Sequence, residues 1–211
     1  MTRQERAART RTALIGSAAA RFADSGYAGT GLKSITSAAG TSTGALTFHF
    51  ASKGELADAV VEGARAVLRP AVDEVLRRPG AALDTLEALV VALVRLLHED
   101  VLVRAAARLE LDGSEGVESW SAEWHPAVRR LAERAWRENA GRLAADGPDQ
   151  LAALAALFVR SAGPHFRLRA VTATASAALD EHLRLWAVMA RVLLVPDGRT
   201  PRQDEVAPPD A

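Results

Sequence analysis

Thr30-Gly-Leu-Lys-Ser-Ile-Thr-Ser-Ala-Ala-Gly-Thr-Ser-Thr-Gly-Ala-Leu-Thr-Phe-His-Phe50, followed at once by Ala-Ser52-Lys53-Gly-Glu55-Leu56, is the stretch that decides the fold. Thr30 is placed to cap a short helix whose Leu32, Ile35 and Ala39 share one face, and Gly40 stops it. A second short helix starts at Ser42 or Thr43. It turns Leu46 and Phe50 inward and leaves Thr43, Gly44, Ala45 and Thr47 small and accessible. Two short helices joined by a tight glycine turn are the helix-turn-helix pattern, and a helix with a small outward face can approach base edges in a major groove.

Upstream, Leu14, Ile15, Ala18, Ala19 and Phe22 recur at helical spacing, which predicts a first helix over about 10–24, ended by Ser25-Gly26 and covering the helix-turn-helix. Tyr27 is expected to pack at that junction. Arg3, Arg6, Arg9 and Arg11 precede it without apolar periodicity and read as an arm or frayed helix end suited to phosphates. The whole chain is formally neutral, but residues 1–55 hold seven Lys/Arg against three Asp/Glu, net +4, so residues 56–211 carry −4. A basic DNA-facing module on an acidic body has this asymmetry.

From Thr12 to Leu56 the order of residues resembles the N-terminal domain of the TetR family of transcription regulators. The resemblance is carried by Leu14-Ile15, Ala18-Ala19, Phe22, Gly26-Tyr27, Thr30, Ile35, Ala38-Ala39-Gly40, Ser42, Gly44, Leu46, His49-Phe50 and Ser52-Lys53 with Leu56. Gly44 to Phe50, with Arg3-Gln-Glu-Arg-Ala in front, is similar to the γ-butyrolactone-receptor branch of actinomycetes. The resemblance implies that Lys33, Thr43, Gly44 and Ala45 face bases, and that Thr30, Ser42, Thr47, His49 and Lys53 hold phosphates. Thr41, Thr43 and Thr47 stand where that branch usually has Val, Lys and Tyr, so a cation and a phenol are missing from the groove face.

Ser52-Lys-Gly-Glu55 reads as a capping box, and the long helix it opens should kink or split at Pro70 before ending by Pro79-Gly80. Leu83, Leu86, Leu89, Val90, Leu93, Val94 and Leu97 predict a helix apolar on most of its circumference, hence central to the body. A helix over about 100–111 and a loop at Asp112–Gly116 follow. Trp120, Trp124, Val128, Leu131, Ala135 and Trp136 continue a helical pattern to about Ala145, with Pro126 as an alternative start. A helix after Asp146-Gly-Pro-Asp carries Leu151, Leu154, Leu157, Phe158 and Ala162, and a last one carries Leu179, Leu183, Trp186, Ala190, Leu193 and Leu194. The protein is thus expected to be all-α, with a helix-turn-helix domain at 1–55, a ligand-binding and dimerisation domain at 56–195 and a disordered tail at 196–211.

The resemblance implies a tryptophan in the wall that contacts a butyrolactone. Trp124 aligns best, because Leu131 follows at a similar interval, and Trp120 is second; a plain core or interface role is the alternative. It also implies a homodimer, with Leu154, Leu157, Phe158, Leu179, Leu183, Trp186 and Ala190 in a four-helix interface reading a pseudo-palindromic operator. The function expected is a repressor released by a small γ-butyrolactone-type signal that controls antibiotic or other secondary-metabolite genes. A receptor-like relative answering to an antibiotic or another apolar metabolite is the second reading. Gly40-Thr-Ser42-Thr-Gly44 also matches the nucleophile elbow of serine hydrolases, which needs a strand before the serine. No metal spacing, cofactor motif or cysteine is present, and no stretch approaches 18 uncharged apolar residues. A cytoplasmic protein without metal or cofactor is therefore expected.

Overall fold

The computed structural model describes residues 2–113, 119–139, 143, 145–169 and 174–193. The chain there is helical: α1 (Arg3–Gly29), α2 (Leu32–Ala38), α3 (Thr43–His49), α4 (Lys53–Arg77), α5 (Ala82–Glu99), α6 (Val101–Leu111), a 3-10 turn at Trp120–Glu123, α7 (His125–Glu138), α8 (Pro148–Arg169) and α9 (Ala175–Leu193). The expected tail at 196–211 and the part of the Asp112–Gly116 loop beyond Gly113 lie outside the described residues.

Leu14, Ala18, Ala19 and Phe22 of α1 are buried with Ile35, Leu46 and Phe50, so α1 covers α2 and α3 as its apolar stripe predicts. The helix begins earlier than its periodicity suggests, at Arg3. Thr2 accepts the Glu5 amide while Glu5 accepts the Thr2 amide, a capping box that carries the arginine-rich segment into the helix. Of the two alternatives, arm or helix end, Arg3, Arg6, Arg9 and Arg11 lie on the N-terminal turns of α1, and Arg11 lies over the Phe50 ring at 5.1 Å.

Near its C-terminus α1 breaks at Gly26, at φ 71°. A side chain there would be strained by the backbone and would collide with the Asp112 carboxylate, so only glycine fits. Thr30 does not cap α2, whose N-cap is Gly31 without a side-chain bond. The Thr30 hydroxyl instead donates to the Gly26 carbonyl at 2.7 Å and to the Arg21 carbonyl at 3.1 Å, closing the break from inside.

Ser52 caps α4 by accepting the Glu55 amide at 3.0 Å, but the Glu55 carboxylate takes the Ala51 amide rather than that of Ser52. The helix continues through Pro70, whose ring sits on the exposed side, so of the expected kink or split the split does not occur. The 55/56 boundary drawn from sequence falls within this one helix.

In the body, α5 is the central element, packed by α4, α6, α7, α8 and α9, with Leu86, Leu89, Val90, Leu93, Val94 and Leu97 buried. Helix α7 starts beside Pro126 and ends at Glu138, not near Ala145; Trp120 and Trp124 precede it, in and just after the 3-10 turn. That turn is tied to α4 by Glu123, which accepts Arg69 Nε at 3.0 Å and lies 3.3 Å from Arg65 Nε. The Arg69 hydrogen bond is the main cause that holds the Glu123 carboxyl below its ordinary range.

Candidate nucleic-acid interface and ligand cavity

Helix α3 is short because Gly40, at φ 62°, ends α2 and Ser42 opens α3 by accepting the Ala45 amide at 3.1 Å. Leu46 and Phe50 anchor it in the core of the three-helix head, which leaves Thr43, Gly44 and Thr47 exposed and Ala45 half-exposed. Lys33 on α2 is exposed as well. The surface is small, with no acidic side chain within 31–50, so a backbone phosphate or base edge could approach without repulsion.

The residues singled out from sequence are not equally available. Thr30 is 2 % exposed and its hydroxyl is already donated, so it leaves the set of side chains that could reach a phosphate. The Lys53 ammonium donates to the Tyr27 carbonyl at 2.8 Å and the Thr30 carbonyl at 3.0 Å, and it sits 4.2 Å from the Tyr27 ring centre. It is first a clasp on the end of α1, with one N–H left over. Thr47 donates to the Gly44 carbonyl at 3.1 Å, while Ser42 keeps its hydroxyl proton free after capping. His49 is half-buried, its ring edge-on to Phe48 at 5.1 Å. Phe48 itself was not singled out, yet it is 76 % exposed on α3. Its signal was phase: it lies off the Leu46–Phe50 side of the helix.

Ser42 does not sit in a nucleophile elbow. A helix and a turn precede it, and no strand stands before it among the described residues.

The body holds a cavity of about 730 Å³ between α1, α5, α6, α8 and α9. Leu97, Ala107, Trp120, Phe166 and Ala178 supply its apolar wall. Trp120 lines the space, whereas Trp124 is not part of the wall: it packs behind Trp120 with ring centres 5.3 Å apart. The structure thus puts Trp120, the second of the two expected from sequence, on the space and the better-aligned Trp124 behind it. The Trp124 indole N–H is buried with no hydrogen-bond partner among the described residues.

Four arginines, Arg104, Arg108, Arg160 and Arg167, also line the cavity and were missed. Their signal was spacing, since Arg104 and Arg108 are one turn apart on α6, and Arg160 and Arg167 two turns apart on α8. Arg108 donates to Asp112 at 2.7 Å, and Arg160 lies 3.4 Å from Glu110. Glu110 in turn accepts the Ser121 amide at 3.1 Å and its hydroxyl at 3.0 Å, fixing the turn that carries Trp120.

Of the residues expected in a subunit interface, Leu157 is exposed, and Leu154, Phe158, Leu179, Leu183 and Ala190 are half-buried. Trp186 is not on that surface: it is 3 % exposed and packs at a tilt against Phe158, ring centres 5.0 Å apart, inside the protomer. Leu185 and Val188 of α9 are exposed and extend the apolar surface instead.

Residues 14–60 match the family model described as bacterial regulatory proteins, tetR family. The chain is 29 % identical over 135 residues to the A-factor receptor protein of Streptomyces griseus, an alignment covering 63 % of this chain and 46 % of that receptor. The aligned part thus spans just under half of the relative's length. Among solved structures, a gamma-butyrolactone receptor (ArpA like protein) superposes with TM-score 0.70 at 28 % identity, covering 91 % of each chain. CprB of Streptomyces coelicolor, solved in complex with its biological operator sequence, superposes with TM-score 0.68 at 27 % identity, again covering 91 % of each.

Proposed function

We propose that this chain, whose residues 14–60 match the tetR-family model and whose fold superposes on gamma-butyrolactone receptors, is a homodimeric repressor that binds a pseudo-palindromic operator and is released by a small signalling molecule of γ-butyrolactone type. The regulated genes in this reading serve antibiotic or other secondary metabolism. The observation that carries it is α3: a helix anchored by Leu46 and Phe50 that offers only Thr43, Gly44, Ala45 and Thr47 to a groove, beside the exposed Lys33. Ser42, His49 and the remaining N–H of Lys53 are the phosphate contacts of this reading. Leu157, Leu185 and Val188, with the half-buried residues around them, are the surface on which a second copy would seat.

Release needs only a ligand that prefers the body conformation in which the two heads leave groove spacing. A preference of about 100-fold supplies roughly 3 kcal/mol of coupling. The effector site of this reading is the cavity that Trp120 lines.

Gel shift on the DNA upstream of its own gene tests the proposal. Binding should weaken steeply as salt rises, because each phosphate contact releases counterions. Salt-insensitive binding, or none across a promoter library, would remove the repressor reading.

A further inference from the structure

Helix α3 turns its Leu46 and Phe50 side into the head, and the Phe48 ring stands exposed on the opposite side. Its neighbour Thr47 is exposed too, but the Thr47 hydroxyl donates to the Gly44 carbonyl at 3.1 Å. The γ-methyl is therefore the Thr47 group left to meet a partner. Half-exposed Ala45 adds a third hydrocarbon surface beside the exposed backbone of Gly44.

Residues 34–48 contain no Lys, Arg, Asp, Glu, Asn or Gln. In a major groove, arginine and lysine read guanine, asparagine and glutamine read adenine, and carboxylates read the cytosine amino group. Helix α3 carries none of the side chains that select those three bases. The Ser42 and Thr43 hydroxyls stand at its start and can bond to any base, so they choose none. Lys33, the one charged side chain within 31–48, belongs to α2. The base-specific mark that remains is the thymine 5-methyl, which is recognised by apolar contact with alanine, the threonine methyl or phenylalanine. Those are the residue types that α3 exposes.

From this we infer that α3 selects thymine by its 5-methyl group, with the Thr47 γ-methyl and the Phe48 ring as the specificity-determining contacts in each half-site. The inference rests on α3 being the groove-facing helix of a repressor, and it adds the base that this helix chooses. A methyl contact is a packing effect, about fourfold in affinity for each methyl enclosed. It releases no counterions, so its size is independent of salt, unlike that of the phosphate contacts.

Selection by the full chain from a pool of random duplexes made with thymine supplies the probe. Each thymine of the enriched site is then replaced singly by uracil, which deletes the methyl and keeps every hydrogen-bonding group. Gel shift should find in each half-site at least one replacement that weakens binding about fourfold, by the same factor at low and high salt. At least one such loss should disappear in Thr47→Ser, which keeps the hydroxyl and deletes the methyl, or in Phe48→Ala. An enriched site without thymine in its half-sites, uracil replacements that leave affinity unchanged throughout, or losses that both variants keep overturn the methyl contact and leave the repressor reading standing. A pool that yields no enriched site overturns both.

Discussion

Asp112 holds Tyr27 across the junction between the head and the body: its Oδ2 accepts the Tyr27 amide at 3.0 Å, while its Oδ1 takes Arg108 Nε at 2.7 Å. One carboxylate thus joins the break in α1 to a side chain in the cavity wall. Asp112→Asn should weaken the charged bond and lower stability by about 1–2 kcal/mol. Operator affinity without effector should be nearly kept, and effector-driven release should shrink. Gel shifts with and without effector read the difference; full release in the variant would show that coupling runs elsewhere.

Gly26→Ala tests the same junction from the other strand of contact. The positive φ and the collision with Asp112 should together cost about 2–4 kcal/mol. Thermal unfolding should show that drop, whereas Gly16→Ala, which meets nothing within 4 Å on a regular turn of α1, should be neutral or stabilising.

Leu46 and Phe48 are two residues apart on α3 and should fail in opposite ways. Leu46→Ala removes a fully packed anchor and should cost about 2–5 kcal/mol in unfolding free energy. Phe48→Ala, from an exposed position, should change stability by no more than about 0.5 kcal/mol. It should nonetheless weaken operator binding, as scored by gel shift. Unaltered affinity would place Phe48 outside the DNA face.

Trp120 and Trp124 can be told apart by fluorescence. With an alkyl butyrolactone as probe, the emission change should be lost in Trp120→Phe and kept in Trp124→Phe. The reverse result would mean that the wall lies one residue layer deeper.

His182 is buried among Phe158, His165 and Phe166, with its pKa lowered first by burial and then by the His165 charge, against the opposing Phe158 carbonyl. The folded state therefore binds fewer protons than the unfolded chain just below the ordinary value of 6.5. Its contribution is intact above that pH and is lost as pH falls through the window beneath it. Melting temperature followed from pH 7.5 to 5 should drop, and His182→Gln should flatten the slope.

Much of this was legible because it depends on local chemistry. The Leu46/Phe50 phase, the Ser42 and Ser52 caps and the α5 stripe are properties of neighbouring residues, and they appear where their spacing puts them. What could not be read depends on partners far along the chain. Thr30 has the residue type of a cap, but its hydroxyl is taken by the backbone opened at Gly26. Trp124 aligned better than Trp120, yet which indole meets the cavity is set by how the 3-10 turn is held by Glu110 and Glu123. Trp186 fits an interface stripe by periodicity, while the ring of Phe158 turns it inward. The arginines of the wall share a spacing along α6 and α8, but that spacing did not set them apart, since an arginine beside an apolar stripe reads equally well as a solvated edge.

The unbroken course of α4 past Pro70 makes it a lever about 37 Å long, at roughly 1.5 Å per residue. A swing of about 5° about one end therefore shifts the other by roughly 3 Å. In the repressor reading, a continuous helix of that length would turn a slight angular change at one end into a mismatch with a groove repeat of about 34 Å at the other. Softening it, for instance with glycines on either side of Pro70, should blunt the amplification without touching either binding surface.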